Sequence, residues 1–447
     1  MLSQLCLHDN GVDFDSRSLL ALSIKTHASK GPAAVCCDMV GPTWEVEEMS
    51  KNIVICCDGT GNEFGESKSN VVKLYKSLTC DATQIGYYHP GVGTMGARSA
   101  LTGIGKWWTK VMGLAFGYGI SDNVADAYQF LMRNFKPGDN IYVFGFSRGA
   151  YTARAICGML HIVGLLTEGN EGLIPYAIRM IKNKKINFGV AFDFKKTFSR
   201  ECKPYFVGVW DTVSSVGWVY NAVRFPYTRA TRNPDFQIVR HAISIDERRA
   251  FFPSNGFGKH HDAQQDILEV LFAGVHSDVG GSYPEDESQL SKIALRWMLA
   301  HAEAAGLKVD QDRKADILGA KTPYVAPDPT SENQHESLHG FWWHVAEIWP
   351  KVVSVEKAPD EWKKRIWINF GRRRRFTELP LPLVHDSVGK RMEFQPPTGN
   401  TSAKPGMKRR PFPYKPNNLP AQPQFVPDEY GKPGPNLSKA AISGPKS

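Results

Sequence analysis

Short apolar runs recur along the chain, and each stops at a polar or glycine-containing turn. Lys51 to Cys57, KNIVICC, is followed at once by Asp58-Gly59-Thr60-Gly61-Asn62. IGYYHPGVGT, starting at Ile85, runs into a glycine loop, and Ile141 to Phe146 runs into Ser147. YFVGVWDTV and ILEVLFAGVH repeat the pattern further on. Between the runs lie amphipathic stretches, SNVVKLYKSL and SDNVADAYQFLMRNF, which read as helices, the second capped by Ser121 or Asp122. Runs that are continuously apolar, instead of alternating, predict strands buried on both faces. The expected fold is therefore α/β, a mostly parallel sheet covered by helices on both faces. About fifty residues separate YFVGVWDTV from ILEVLFAGVH. A connection that long predicts a lid-like or binding insertion at residues 214–260.

With 42% hydrophobic and 22% charged residues in 447, the chain can bury a sizeable core. Residues 1–50 show no sustained periodicity and read as a weakly structured leader, residues 51–392 as one domain, and residues 393–447 as a tail. From Gln395 onward there are 12 of the 29 prolines, and eight Lys or Arg against two acids. Such a stretch is expected to stay extended or disordered. It also accounts for much of the formal charge of +9, so the charge by itself does not call for a nucleic-acid partner. Arg372 to Arg375 reads as a solvated basic loop, with acidic lipid headgroups as the other candidate contact. Five of the 11 tryptophans, Trp342, Trp343, Trp349, Trp362 and Trp367, form a helical layer on the sheet or an aromatic membrane or acyl-chain surface. The eight cysteines make no C-x-x-C pair and read as reduced thiols. No secretory signal and no membrane-spanning run is visible. The expected setting is cytoplasmic, with the basic and Trp-rich segments as candidates for peripheral membrane contact.

Ligands of open parallel sheets bind beyond the carboxyl ends of the strands, so the residues that end the runs matter most. They are Asp58-Gly59-Thr60, Ser147, Asp211 and His276. A hydroxyl, a carboxylate and an imidazole in the order Ser…Asp…His is the order of an α/β-hydrolase. Ser147 lies in Gly145-Phe146-Ser147-Arg148-Gly149, the G-x-S-x-G of a strand-to-helix elbow, where side chains two residues either side would collide. In this scheme Ser147 is the nucleophile, His276 the base, and Asp211 orients the imidazole. The N–H of Arg148 and the Gly59-Thr60 turn would form the oxyanion hole, with Asp58 and Asp278 in support.

Each residue also has a plainer role. Ser147 could only cap a helix, Asp211 only cap the next turn, and His276 only fill the core. A second chemistry uses Asp58, Asp211, His276 and Asp278 as ligands of a metal-dependent phosphoesterase, and a third reading leaves the pocket vestigial. GVGT at Gly91 to Thr94 reads as a turn needing positive φ, or as a phosphate cradle. His260, His261 and Asp262 read as an exposed loop before a metal site. No cofactor is expected.

NIVICCDGTGNEF, YYHPGVGT, YVFGFSRGAYTAR, VWDTVSSVG, HAISIDERR and GVHSDVGGSY resemble, in order from Asn52 to His301, the signature blocks of the type VI secretion phospholipase-effector-like α/β-hydrolase domain. A fainter likeness extends to LPLVHDSVGKRM at residues 381–392. The resemblance implies an α/β-hydrolase fold, a Ser147–Asp211–His276 triad, and an acyl ester or phospholipid substrate.

Overall fold

In a computed structural model, the structure describes residues 50–59, 68–91, 119–182, 186–213, 225, 227–250, 252–258, 264–338, 347–348, 351–358, 361–370, 383–396 and 412–433. Thr60, residues 214–224, His260, His261, Asp262, Trp342, Trp343, Trp349 and Arg372 to Arg375 lie outside the described residues, as does residues 1–49 of the leader.

The predicted runs form β1 (Asn52–Cys57), β2 (Gln84–His89), β3 (Asn140–Phe146), β4 (Pro204–Trp210) and β6 (Asp266–Phe272), joined by β5 (Ile238–Ser244), β7 (Leu383–His385) and β8 (Gln424–Val426). They make one sheet in the order 8-7-6-5-4-3-1-2, and every pairing in it is parallel. β1, β4 and β5 are buried at every residue, as strands covered on both faces must be. One apolar cluster joins β1, β3 and β4 to α2 (Ile120–Asn134), α3 (Arg148–Val163), α4 (Ile174–Lys182) and α5 (Phe188–Phe198). A second joins the other face to α1 (Asn70–Ser77) and α7 (Gln289–Ala304). Helices therefore cover both faces, as expected of an α/β-hydrolase-like fold. The chain leaves β1 toward β2 and returns on β1's other side as β3, so the order reverses at β1, where such sheets open a crevice.

Four expectations change. The insertion at 214–260 contains β5, a central strand. Arg240 and His241 interrupt its apolar run, yet both are buried and paired: Arg240 with Asp266 at 2.7 Å, and His241 with Glu269 at 2.8 Å. Part of the expected disordered tail, residues 412–433, packs on the domain and supplies the edge strand β8. Tyr414 is buried there, and Asp428 accepts from His385 at 2.9 Å. Where a helical layer was one expectation for the Trp-rich region, Lys351–Ala358 and Glu361–Trp367 pair as antiparallel strands. Lastly, α2 is capped at Gly119, with φ 107°, and Ser121 and Asp122 fall in its first turn.

The described ends of the 214–260 insertion are fastened rather than loose. Arg154 of α3 is fully buried and donates to the carbonyls of Thr228, Asn255 and Gly256 at 2.7, 2.5 and 3.0 Å. Its guanidinium lies 4.0 Å from the centre of the Phe257 ring.

Candidate active site

β3 delivers Phe146 beside Trp210 of β4, and the Ser147 N–H donates to the Trp210 carbonyl at 3.1 Å. Ser147 then adopts φ 58° and ψ −119°, and α3 starts at the next residue. That conformation is costly for a residue with a Cβ, and it persists because its surroundings determine it. The flanking glycines show how. A Cβ on Gly145 would lie 2.5 Å from the Gly149 carbonyl oxygen, and one on Gly149 would lie 2.2 Å from the Cys57 carbonyl oxygen. The G-x-S-x-G spacing is thus a steric requirement of a strand and helix pressed together.

β4 ends one strand further on, at Asp211, which has φ 36° and donates its N–H to the Ala242 carbonyl at 2.7 Å. Its Oδ1 accepts from the Ser244 N–H at 3.0 Å, leaving Oδ2 to face the imidazole. His276 comes not from the end of β6 but four residues past it, as the first residue of α6 (His276–Gly280). His276 Nδ1 lies 2.6 Å from Asp211 Oδ2, and Nε2 lies 2.8 Å from Ser147 Oγ. A carboxylate only accepts, so the neutral ring carries its proton on Nδ1 and takes the serine O–H at Nε2. The ring is held between Phe146, stacked at 4.7 Å, and Phe252, edge-on at 4.8 Å. Burial pushes the imidazole below its ordinary 6.5, and the Asp211 carboxylate offsets part of that shift. The structure therefore brings Ser147, His276 and Asp211 into one hydrogen-bonded line.

The supporting aspartates serve other networks. Asp58 accepts from Ser69 Oγ at 2.7 Å, the Tyr88 hydroxyl at 2.8 Å and its neighbour's Gly59 N–H at 2.6 Å. It thereby fixes the turn after β1, with the Gly59 N–H directed at Asp58 Oδ1. Gly91, the first glycine of GVGT, packs so closely on that turn that a Cβ would lie 1.8 Å from the Gly59 carbonyl oxygen, but its φ is not positive; Val92 to Thr94 lie outside the described residues. Asp278 bonds the Val275 N–H at 3.0 Å and His335 Nδ1 at 2.7 Å. Asp58, Asp211, His276 and Asp278 thus do not converge on a common point as metal ligands would. Among the described residues, no group of three or more His, Cys, Asp or Glu could hold a metal ion. Arg148 begins α3 beside Ser147, and burial lowers its guanidinium to about 10.

Three groups around the histidine went unassigned from the sequence. Glu247, three residues beyond β5, accepts from the His276 N–H at 3.3 Å and from the Arg249 guanidinium at 2.9 and 2.8 Å. Asp246 accepts from the Gly274 N–H at 2.8 Å, the Tyr414 hydroxyl at 2.6 Å and Gln334 at 2.9 Å. His335 bridges Asp278 and Glu287, and Tyr283 stacks on it at 3.5 Å. Burial alone would lower His335, yet the two carboxylates hold it above its ordinary 6.5. Asp246 and Glu247 sit in HAISIDERR, so that block was the available signal. His335 had none, because its partners lie 48 and 57 residues away in the chain.

An uncharacterized protein of Saccharomyces cerevisiae, YEL023C, is 38% identical over 221 residues, which is 45% of this chain and 32% of that protein. The chain therefore spans about a third of the length of that curated relative. Two solved structures overlap it partially. An uncharacterized protein from Pseudomonas aeruginosa has a TM-score of 0.37 and 20% identity, over 59% of this chain and 47% of that one. The Tle1 effector bound to the VgrG spike of the type 6 secretion system has a TM-score of 0.31 and 20% identity, over 53% of this chain and 52% of that one. The family described as "T6SS, Phospholipase effector Tle1-like, catalytic domain" matches residues 51–301, the stretch that holds Ser147, Asp211 and His276, and the chain belongs to that family.

Proposed function

We propose that the chain is a serine-dependent hydrolase of acyl esters, with phospholipids as its substrate class. The observation that carries this is the continuous line Asp211–His276–Ser147, at 2.6 and 2.8 Å, ending on a serine in a strained elbow at the start of a helix. The family's description as a phospholipase effector supports the same chemistry.

Ser147 Oγ attacks the ester carbonyl carbon while its proton passes to His276 Nε2. Asp211 holds the ring in the required tautomer and stabilises the imidazolium. The tetrahedral oxyanion is received by the Arg148 main-chain N–H; the Gly59 N–H, expected as a second donor, is instead taken up by Asp58 Oδ1. Collapse breaks the bond to the alkoxy oxygen, which leaves with the proton from Nε2. A water, deprotonated by the same nitrogen, then cleaves the acyl-serine and releases the fatty acid. The depressed imidazole pKa keeps His276 neutral, and therefore able to accept that proton, at neutral pH.

A fluorophosphonate probe should label Ser147 of the folded chain and leave Ser147→Ala unlabelled, and the labelled chain should lose hydrolysis of phospholipid vesicles. Equal labelling of the two chains would refute the assignment. If instead a chelator abolished hydrolysis and a divalent ion restored it, the metal-dependent phosphoesterase would be the better account.

A further inference from the structure

α4 and α5 pack against α3 through one side only. Ala177, Ile178 and Ile181 of α4 and Ala191 and Phe194 of α5 are buried. The outer side is not polar in the usual way. Tyr176, Phe188, Val190 and Phe192 are 44%, 58%, 45% and 67% exposed. With Phe198 they make five of the ten large exposed hydrophobics among the described residues, all within a 23-residue span. Phe188 and Phe192 stand one helical turn apart, so their rings share a face. Beside them a groove of about 290 Å³ runs between α5 and the end of α3, lined by Ile162, Phe188, Phe192 and Tyr227.

Exposed aromatic rings sharing one helix face, as Phe188 and Phe192 do, mark a surface that something covers. Its charge indicates what. Arg179, Lys182, Lys195 and Lys196 lie in the same two helices, whose only acid is Asp193, and Lys195 is half-buried with its amine donating to the His161 carbonyl at 2.9 Å. Phenylalanines flanked by long basic side chains suit the boundary between acyl chains and anionic headgroups. There the rings enter the apolar layer and the amines stay at headgroup level. Such a face is attracted to acidic lipid and is weakened by salt. It lies about 20 Å along α3 from Ser147, by the rise of 1.5 Å per residue, so it is separate from the reacting atoms.

We propose that this face docks the protein on an anionic phospholipid bilayer. The proposal rests on the ester-hydrolase reading for its purpose, since a lipid-cleaving site gains from being held at its substrate, but binding itself does not need the triad. The test uses the full-length Ser147→Ala chain, which cannot consume the vesicles. Flotation is measured with phosphatidylcholine vesicles, with and without added phosphatidylserine. The chain should float with the acidic vesicles, less so as salt rises, and hardly at all with phosphatidylcholine alone. Phe188→Ser/Phe192→Ser and, separately, Lys195→Glu/Lys196→Glu should each lower the partition coefficient by about tenfold or more. Unchanged thermal midpoints would show that these substitutions leave the fold intact. With Ser147 present, the same pairs should hydrolyse a short soluble ester at the parental rate. Failure of the parent to float with acidic vesicles, or undiminished flotation of both variants, would overturn the proposal. So would sedimentation as a dimer that the phenylalanine substitutions dissociate, which would make the face a contact between copies. Vesicle binding without ester hydrolysis would instead refute the functional reading and leave the docking face standing.

Discussion

The ends of β3 to β6 and the outer side of α4 and α5 break the usual rules of burial in opposite directions. At the strand ends, the charges of Asp211, Asp246, Glu247 and Asp278 and the neutral imidazole of His276 are buried, each residue at most 5% exposed. On the flank, aromatic rings face water. Each buried charge is held by several donors, which is what makes its burial tolerable. The exposed rings are only partly covered by the described residues, as where Phe188 meets Tyr227 edge-on. A buried polar network signals chemistry done in place, whereas an exposed apolar face signals a partner. The two regions should therefore be separable by mutation.

The largest effect belongs to the strand ends. Ser147→Ala should cut ester turnover by about 10⁴-fold or more, and Asp211→Asn by about 10⁴, since a carboxamide there favours the wrong imidazole tautomer. Single-turnover assays on a soluble ester would measure both, and vesicle flotation should be unaffected by either. Gly149→Ala comes next. Its added methyl must displace the end of β1, so the stability loss should be about 1–3 kcal/mol or more, read as a lower denaturation midpoint, with loss of the elbow's activity. Phe188→Ser/Phe192→Ser should do the reverse, leaving soluble-ester turnover intact while weakening acidic-vesicle binding about tenfold.

Smaller effects sharpen the contrast within the site. Because burial depresses His276, the acid limb of the kcat/KM profile should lie below pH 6.5, activity being lost as pH drops through the depressed imidazole pKa. Asp211 is what partly raises the ring, so Asp211→Asn should move the limb lower still. His335 should behave oppositely. Its folded pKa lies above 6.5, so its contribution to stability is complete below the unfolded value and is lost as pH rises through the folded one. Chemical denaturation of His335→Gln across neutral pH should show a flatter dependence than the parent. An unchanged slope would mean that the Asp278–His335–Glu287 bridge does not tie the histidine loop down.

The strands that were visible in the sequence are those whose burial is achieved with apolar side chains alone, such as NIVICC and YFVGVW. β5 escaped because Arg240 and His241 look like surface residues until Asp266 and Glu269 appear opposite them on β6. β7 and β8 escaped because three residues carry no periodicity, and β8 lies in a proline-rich stretch held to the domain by groups such as Asp246, Arg296 and His385.

By itself the sequence determined the parallel sheet, the elbow at Ser147 and the order Ser147, Asp211, His276. These are local properties: an apolar run, a pair of glycines, a polar residue at each terminus. Tertiary structure decided which carboxylate meets the imidazole. Asp58 follows β1 directly and Asp278 lies six residues past β6, but one is bound by Ser69 and Tyr88, the other by His335. It also decided that the helices after α3 turn their aromatic residues outward. A hydrophobic pattern fixes that a helix has an apolar side, but only packing fixes whether another part of the chain is there to cover it.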